Sequence, residues 1–272
     1  MTKQNVNKKN LIWVASYPKS GNTWVRFILQ AAVTGKVDLK TIGQLVPNFA
    51  VMNSAVNADI SVQMPAEARR YWPKTQTTLN NETKSPLFLK THNVCAAFDS
   101  GQFPDPKLSI GGIYVVRDPR DLVLSYRAHF GLTIDEAIDY VRDKDNFIFN
   151  AKDNLTTELI SSWDQHYQSW KQAPFPMHLM KYEDLLQNPE ANINKMLAFL
   201  KLKPVISVAK ILELTSFNSL ATKEKTDGFS EASSKTTRFF RKGTKGQWRD
   251  HSSEISPLKE HFKATFDELG YR

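Results

Sequence analysis

Lys19, Lys90, His92, Arg117 and the pair Arg241-Lys242 are the residues whose types and spacing suggest chemistry on an anion. Lys19 lies in Tyr17-Pro18-Lys19-Ser20-Gly21, a turn between the apolar run Leu11 to Ala15 and a segment with apolar residues at Val25, Phe27, Ile28 and Leu29. A strand, a tight turn and a helix start set several backbone N–H groups at a helix N-terminus, where the helix dipole favours phosphate. The spacing is not that of the G-x-x-x-x-G-K-[ST] loop, so an ordinary strand-to-helix turn with an exposed lysine stays open on this stretch alone. Lys90 and His92 are two apart at the end of the run Leu87 to His92 and would face the same side of a strand. An unperturbed histidine has a pKa of about 6.5 and can take a proton near neutral pH, although a packed structural histidine is the alternative.

Arg117 stands where the apolar run from Gly111 gives way to a loop. Its own alternative is a surface ion pair with Asp118 or Asp121. Further on, Arg238 to Arg249 holds five cations and two glycines, enough to wrap an oxyanion. The aromatics among those cations also fit nucleic-acid binding.

These residues need elements to position them. Leu11 to Ala15, Leu87 to His92, Gly111 to Arg117 and Met177 to Tyr182 read as strands, and ligands of an open parallel sheet gather beyond the carboxyl ends of its strands. Asn22 to about Thr34 reads as a helix. Asp118 suits an N-cap and Pro119 the first helical position, which predicts a helix to about Phe130 with Ser125 near its start. Thr133 to Asp143 is a further helix. Leu155 to Lys171 is expected as one helix, because Leu155, Leu159, Trp163, Tyr167 and Trp170 follow at helical steps. This stripe reads as core and His166 beside it as packed. Glu183-Asp184 reads as ordering a loop. Ala191 to Leu200 and Val205 to Leu214 read as helices, and polar Ala221 to Lys235 as a mobile loop or lid. Val37 to Pro86 has little periodicity; such a segment is functional or holds short helices the pattern does not place, and it is expected to form substrate-pocket wall and lid.

The 272 residues suffice for one large α/β domain, and no Pro/Gly/Ser-rich linker or repeat divides them. The expectation is a single domain over residues 1–272 with its core at about 11–250 and a flexible stretch at 1–9. Hydrophobic content of 41% and charged content of 24% are those of a soluble globular protein. A formal charge of +8 predicts an anionic partner, and its even spread argues against a basic arm. The single cysteine, Cys95, excludes an intrachain disulfide and reads as a small buried apolar residue. No apolar run is long enough for a membrane anchor, so a cytoplasmic enzyme without stable membrane association is expected. No acidic or His/Cys cluster suggests a metal.

Together these stretches resemble the cytosolic sulfotransferase family. The matching pieces are Tyr17-Pro18-Lys19-Ser20-Gly21-Asn22-Thr23-Trp24, Lys90-Thr91-His92, Val116-Arg117-Asp118-Pro119-Arg120-Asp121 through Ser125-Tyr126, Tyr182-Glu183-Asp184, Thr215-Ser216-Phe217 and Arg241-Lys242-Gly243-x-x-Gly246-x-Trp248. They keep the family's order over most of the chain. The resemblance implies a single domain with a central parallel β-sheet flanked by helices, a P-loop-like three-layer architecture. It also implies 3′-phosphoadenosine 5′-phosphosulfate (PAPS) as sulfuryl donor, adenosine 3′,5′-bisphosphate (PAP) as product, and a small-molecule acceptor.

Carried over by position, Lys19, Ser20, Gly21, Asn22 and Thr23 would hold the 5′-phosphate and Trp24 would stack on adenine. Arg117, Ser125, Arg241, Lys242 and Gly243 would hold the 3′-phosphate. Thr215 and Phe217 would flank the adenine, and Tyr182 belongs to the same cofactor site. His92 would be the general base, with Lys19 and Lys90 beside the transferring group and Ser125 completing the catalytic set. A nucleotide kinase of the P-loop type is the alternative enzyme, and a basic nucleic-acid-binding module the alternative from another class.

The sequence departs from the family where Asn93-Val94 follows His92 in place of leucine-proline. The dimerisation signature of animal members is not recognisable in Arg249 to Leu258, so monomer and dimer both stay open.

Overall fold

A computed structural model describes residues 8–57, 65–150, 156–232, 238–240 and 243–272. Among them are eight strands: β1 (Leu11–Ser16), β2 (Leu87–Thr91), β3 (Ala96–Phe98), β4 (Gly101–Phe103), β5 (Ser109–Val116), β6 (Phe147–Asn150), β7 (Thr156–Leu159) and β8 (Met177–Lys181). Four of them form a parallel sheet in the order β2-β1-β5-β8. β3-β4 and β6-β7 are antiparallel hairpins.

The apolar run of β1 is buried on both faces, which is why it shows no polar alternation. Leu11, Trp13 and Ala15 join one core with Tyr114, Val116, Trp163, Tyr167, Trp170 and Phe266. Ile12 and Val14 join the opposite core with Ile113, Val115, Val25, Phe27, Ile193, Met196 and Ile211. Helices Pro119–Phe130, Trp163–Lys171 and Lys263–Leu269 cover the first face, and Asn22–Thr34, Pro189–Phe199 and Val208–Thr215 the second. The expected three layers are present.

Helix starts follow the sequence signals. Asp118 caps Pro119–Phe130 by accepting from the Arg120 N–H, and Thr133 with Glu136 forms a capping box ahead of Ile134–Arg142.

Two expectations need correction, and a third segment gains its elements. Leu155 to Lys171 is not one helix: Thr156–Leu159 is a strand paired with Phe147–Asn150, and the helix begins at Trp163. The helical spacing of Leu159 and Trp163 is coincidental, because strand pairing and a Ser161 φ of 61° interrupt it. Ala221 to Lys235 is not a loop throughout, since Phe217–Asp227 is helical with Ser216 as its cap. The segment Val37 to Pro86 contains the helices Ile42–Leu45, Phe49–Val56, Pro65–Ala68 and Trp72–Glu82. Their aromatics Phe49 and Trp72 pack into the first core. Of the stretch 1–9 expected to be flexible, residues 1–7 lie outside the described residues.

Candidate active site

Parallel strands end on one edge of the sheet, and each central strand delivers one candidate there. His92 follows β2, Tyr17 to Gly21 follow β1, Arg117 follows β5 and Tyr182 follows β8. The strand order therefore lays them in a row, from an imidazole at one end to an aromatic wall at the other.

The turn after β1 leaves the start of its helix open. Lys19 has a φ of 67° and Gly21 one of 103°, and no side chain caps the helix they introduce. A Cβ on Gly21 would overlap the Tyr182 ring. The Ser20 hydroxyl is buried without a hydrogen-bond partner among the described residues, and so is Arg117 Nε. Buried polar atoms are costly to leave unpaired, so this pair marks a place for a polar ligand. A carboxylate already sits at the start of this helix. Glu231 accepts from Thr23 Oγ1 at 3.3 Å and from Arg26 Nη1 at 2.6 Å, and Arg26 draws its carboxyl below the ordinary range although burial opposes this. Asn22 Nδ2 instead points inward to the Val14 carbonyl, at 3.0 Å. The Lys19 ammonium lies 4.5 Å over the Phe239 ring.

His92 is gripped from three sides. Its Nδ1 lies 2.7 Å from the Ser16 carbonyl, its backbone N–H donates to Glu158 Oε1 at 2.9 Å, and its carbonyl accepts from His166 Nε2 at 3.0 Å. A carbonyl can only accept, so Nδ1 carries the proton and Nε2 is the basic nitrogen of the neutral ring. Burial, then the charge of Lys90, holds the His92 pKa well below its ordinary value. His166 is a packed histidine as expected. Tyr114 donates to its Nδ1 at 2.8 Å, and burial lowers its pKa to about 4. Lys90 does not stand free beside a reacting group: its Nζ lies 3.2 Å from Glu158 Oε2 and 3.4 Å from Oε1.

At the other end, Arg117 stacks 4.6 Å over the Tyr182 ring and donates to the Lys19 carbonyl at 3.2 Å. It is not paired with Asp118 or Asp121. Asp118 binds Arg120 at 2.7 Å, and Asp121 accepts the backbone N–H groups of Gly246 and Trp248. Asp121 thereby ties the last basic motif to the helix that follows Arg117. Trp24 packs edge-on to Tyr182 at 5.9 Å and donates to the Thr215 carbonyl at 2.9 Å. Phe217 lies against Gly243, whose φ is 61° and where a Cβ would overlap the ring. Ser125 is half-buried on the helix Pro119–Phe130. Arg241 and Lys242 lie outside the described residues.

Glu183 orders the strand-end loop, as expected. It accepts from the Asp118 N–H at 2.9 Å and the Tyr271 hydroxyl at 3.0 Å. Beside it, Lys181 donates to the Leu269 carbonyl at 2.6 Å. Cys95 is buried, which pushes its thiol up to about 12. Sequence reasoning missed Glu158, Glu231 and Arg26. The partners of all three are set by tertiary packing, and no local motif announces them. Among the described residues, no group of three or more His, Cys, Asp or Glu could hold a metal.

Comparison with known proteins identifies the family and the fold. A family model described as the sulfotransferase domain matches residues 9–270. Rat sulfotransferase 1A1 is 28% identical over 244 residues, covering 87% of this chain and 77% of that protein. Rat sulfotransferase 1E1 is 28% identical over 261 residues, covering 92% and 80%. Among solved structures, retinol dehydratase in complex with androsterone and the inactive cofactor PAP shares the fold with a TM-score of 0.62, at 18% identity over 96% of this chain and 82% of that one. Mouse sulfotransferase SULT7A1 complexed with PAP does so with a TM-score of 0.58, at 18% identity over 95% and 85%.

Proposed function

The chain belongs to the sulfotransferase family, and from that premise we propose that it moves a sulfuryl group from PAPS to a hydroxyl, or an amine, of a small-molecule acceptor, with His92 as general base. The observation that carries this reading is the row of strand-end groups in which Ser20 Oγ and Arg117 Nε lie buried and without a hydrogen-bond partner among the described residues. Two phosphate-seeking groups placed at neighbouring strand ends suit a nucleotide phosphorylated at both its 5′ and 3′ positions.

The residues present fit such a nucleotide. Lys19, Ser20, Gly21, Asn22 and Thr23 would hold the 5′-phosphate with the amides of the helix start. Trp24, Tyr182, Thr215 and Phe217 would wall the adenine. Arg117, Ser125, Arg241, Lys242 and Gly243 would take the 3′-phosphate, which a guanidinium binds in bidentate fashion. When bound, PAPS supplies the sulfuryl group on an anionic nucleotide leaving group.

The chain's own contribution is placement and charge. His92 presents Nε2 to accept the proton of the acceptor, because Ser16 holds the other nitrogen protonated. Lys19 sets a cation at the 5′ end, and Lys90 another beside His92. Among the described residues, no helix is long and apolar enough to cross a membrane. A cytoplasmic location and a soluble acceptor belong to the same proposal, supported by the single buried cysteine.

Thermal unfolding with nucleotides tests it. Adenosine 3′,5′-bisphosphate with EDTA present should raise the melting temperature, since a ligand of the folded state stabilises it by mass action. ATP with Mg²⁺ should raise it far less. The reverse ranking would favour a nucleotide kinase, and a response to oligonucleotides alone a nucleic-acid-binding module.

A further inference from the structure

We propose that Glu158 is a positioning residue of this site, holding Lys90 and His92 in fixed relation and balancing the lysine's charge beside the imidazole. The inference rests on the reading of His92 as base. Glu158 Oε1 serves both partners, accepting from the His92 backbone N–H at 2.9 Å and from Lys90 Nζ at 3.4 Å, while Oε2 takes Lys90 at 3.2 Å. Lys90 is 9% exposed and Glu158 6%. Buried opposite charges persist only when paired, and removing one strands the other.

The strand that carries Glu158 is locked to the segment after His92. Leu159 donates its N–H to Asn93 Oδ1 at 2.7 Å, and its carbonyl accepts from the Val94 N–H at 2.8 Å. Leucine-proline at these two positions would offer neither the carboxamide nor the N–H. The departure from the family pattern at Asn93-Val94 is therefore what docks β7 against His92 in this chain.

The charged and titratable groups around the imidazole and its cations are Lys90 on β2, Glu158 on β7, His166 on the helix Trp163–Lys171, Arg26 on the helix Asn22–Thr34, and Glu231, which pairs with Arg26 and also acts on Lys90. Lys90 and Arg26 both oppose a positive charge on His92, Glu158 offsets Lys90 by direct contact, and Glu231 offsets Arg26. Neutralising Glu158 removes the direct counter-charge of Lys90 and makes His92 a weaker base. Neutralising Lys90 does the opposite, and neutralising both returns the ring close to its starting point.

The test compares Glu158→Gln, Glu158→Asp, Lys90→Gln and the double variant Lys90→Gln/Glu158→Gln. The His92 ring is titrated by NMR in nucleotide-free protein, its signal assigned with His92→Asn, and the pH profile of kcat/KM is measured alongside. In Glu158→Gln both should move to lower pH by about one unit, the scale of a charge removed within ~4–6 Å. The double variant should move back, and kcat of Glu158→Gln should fall by up to about 10²-fold from misplacement. Glu158→Asp should recover part of both effects, and thermal unfolding shows whether each variant is folded.

A Glu158→Gln protein with the parental titration and kcat overturns the proposal. So does a double variant that keeps the full Glu158→Gln shift, or a Glu158→Gln that fails to fold while Glu158→Asp folds with a parental profile. Complete loss of transfer in Glu158→Gln with transfer intact in His92→Ala would make Glu158 the proton acceptor and overturn it too. Normal transfer in His92→Ala alone speaks against the base itself. An inactive His92→Ala beside an unaltered Glu158→Gln sinks only the present inference.

Discussion

His92 Nδ1 lies 2.7 Å from the carbonyl oxygen of Ser16, the last residue of β1. The strand that leads into the turn Tyr17 to Gly21 thus also fixes the tautomer and direction of the imidazole at the end of β2. Any shift of that turn relative to β2 would move the ring with it.

Replacing His92 by alanine should remove transfer and leave nucleotide binding. The loss expected for a general base is roughly 10²–10⁴-fold in kcat, while the melting shift with adenosine 3′,5′-bisphosphate stays near parental. Because burial and Lys90 hold the His92 pKa below 6.5, the acid limb of kcat/KM should fall below pH 6.5. Near-full activity in His92→Ala would remove the residue from the mechanism.

Acid should destabilise the fold before its carboxylates titrate. His166 and His129 are lowered to about 4 by burial, with Lys19 adding to the effect at His129, and His92 is also lowered. These rings are neutral when folded and take protons near pH 6.5 when unfolded, so stability is lost as pH falls from about 6.5 toward 4. Glu183, raised by burial, works in the opposite sense. His178 and His261 are lowered by burial as well, and five histidines against one carboxyl should dominate. Urea midpoints at pH 7.5, 6 and 5 read this directly, and a flat series would contradict it.

Arg117 should govern preference for the 3′-phosphate. Truncation to alanine removes a charge-assisted contact of about 1.5–3 kcal/mol, or roughly 10- to 100-fold in Kd. Adenosine 3′,5′-bisphosphate should then bind little better than adenosine 5′-monophosphate in calorimetry. Arg117→Lys should recover only part, lacking the planar fork. An unchanged ratio of the two affinities would place the 3′-phosphate elsewhere.

Glu231 should compete with the nucleotide's 5′ end. Its carboxylate occupies Thr23 Oγ1 and Arg26, groups that suit phosphate equally well. Glu231→Gln should tighten adenosine 3′,5′-bisphosphate by up to about fivefold, the ~1 kcal/mol ceiling of a partly exposed ion pair. The nucleotide-free variant should melt lower, because Arg26 is 2% exposed and loses its counter-charge. Weaker nucleotide binding would assign Glu231 to support of the site.

The placement of much of this candidate site was legible because its residues sit where strands end. Lys19, His92, Arg117 and Tyr182 each follow an apolar run that reads as a buried strand, and each is flanked by turn or cap residues with a local physical meaning. Glu158 was not legible. Leu159, Trp163, Tyr167 and Trp170 keep helical spacing across what is in fact a strand followed by a helix. Only pairing with Phe147–Asn150 and the bonds to Asn93 and Val94 decide otherwise. The Phe217–Asp227 helix was hidden by its polar composition, with Leu220 as its one buried residue.

The contacts of Lys181 with Leu269 and of Glu183 with Tyr271 bracket Tyr182 in sequence. The segment Lys263 to Tyr271 thus acts as a buttress behind the wall on which the purine would rest. A protein shortened ahead of Lys263 would keep every motif residue and still lose its hold on the nucleotide, because the brace for that wall would be gone.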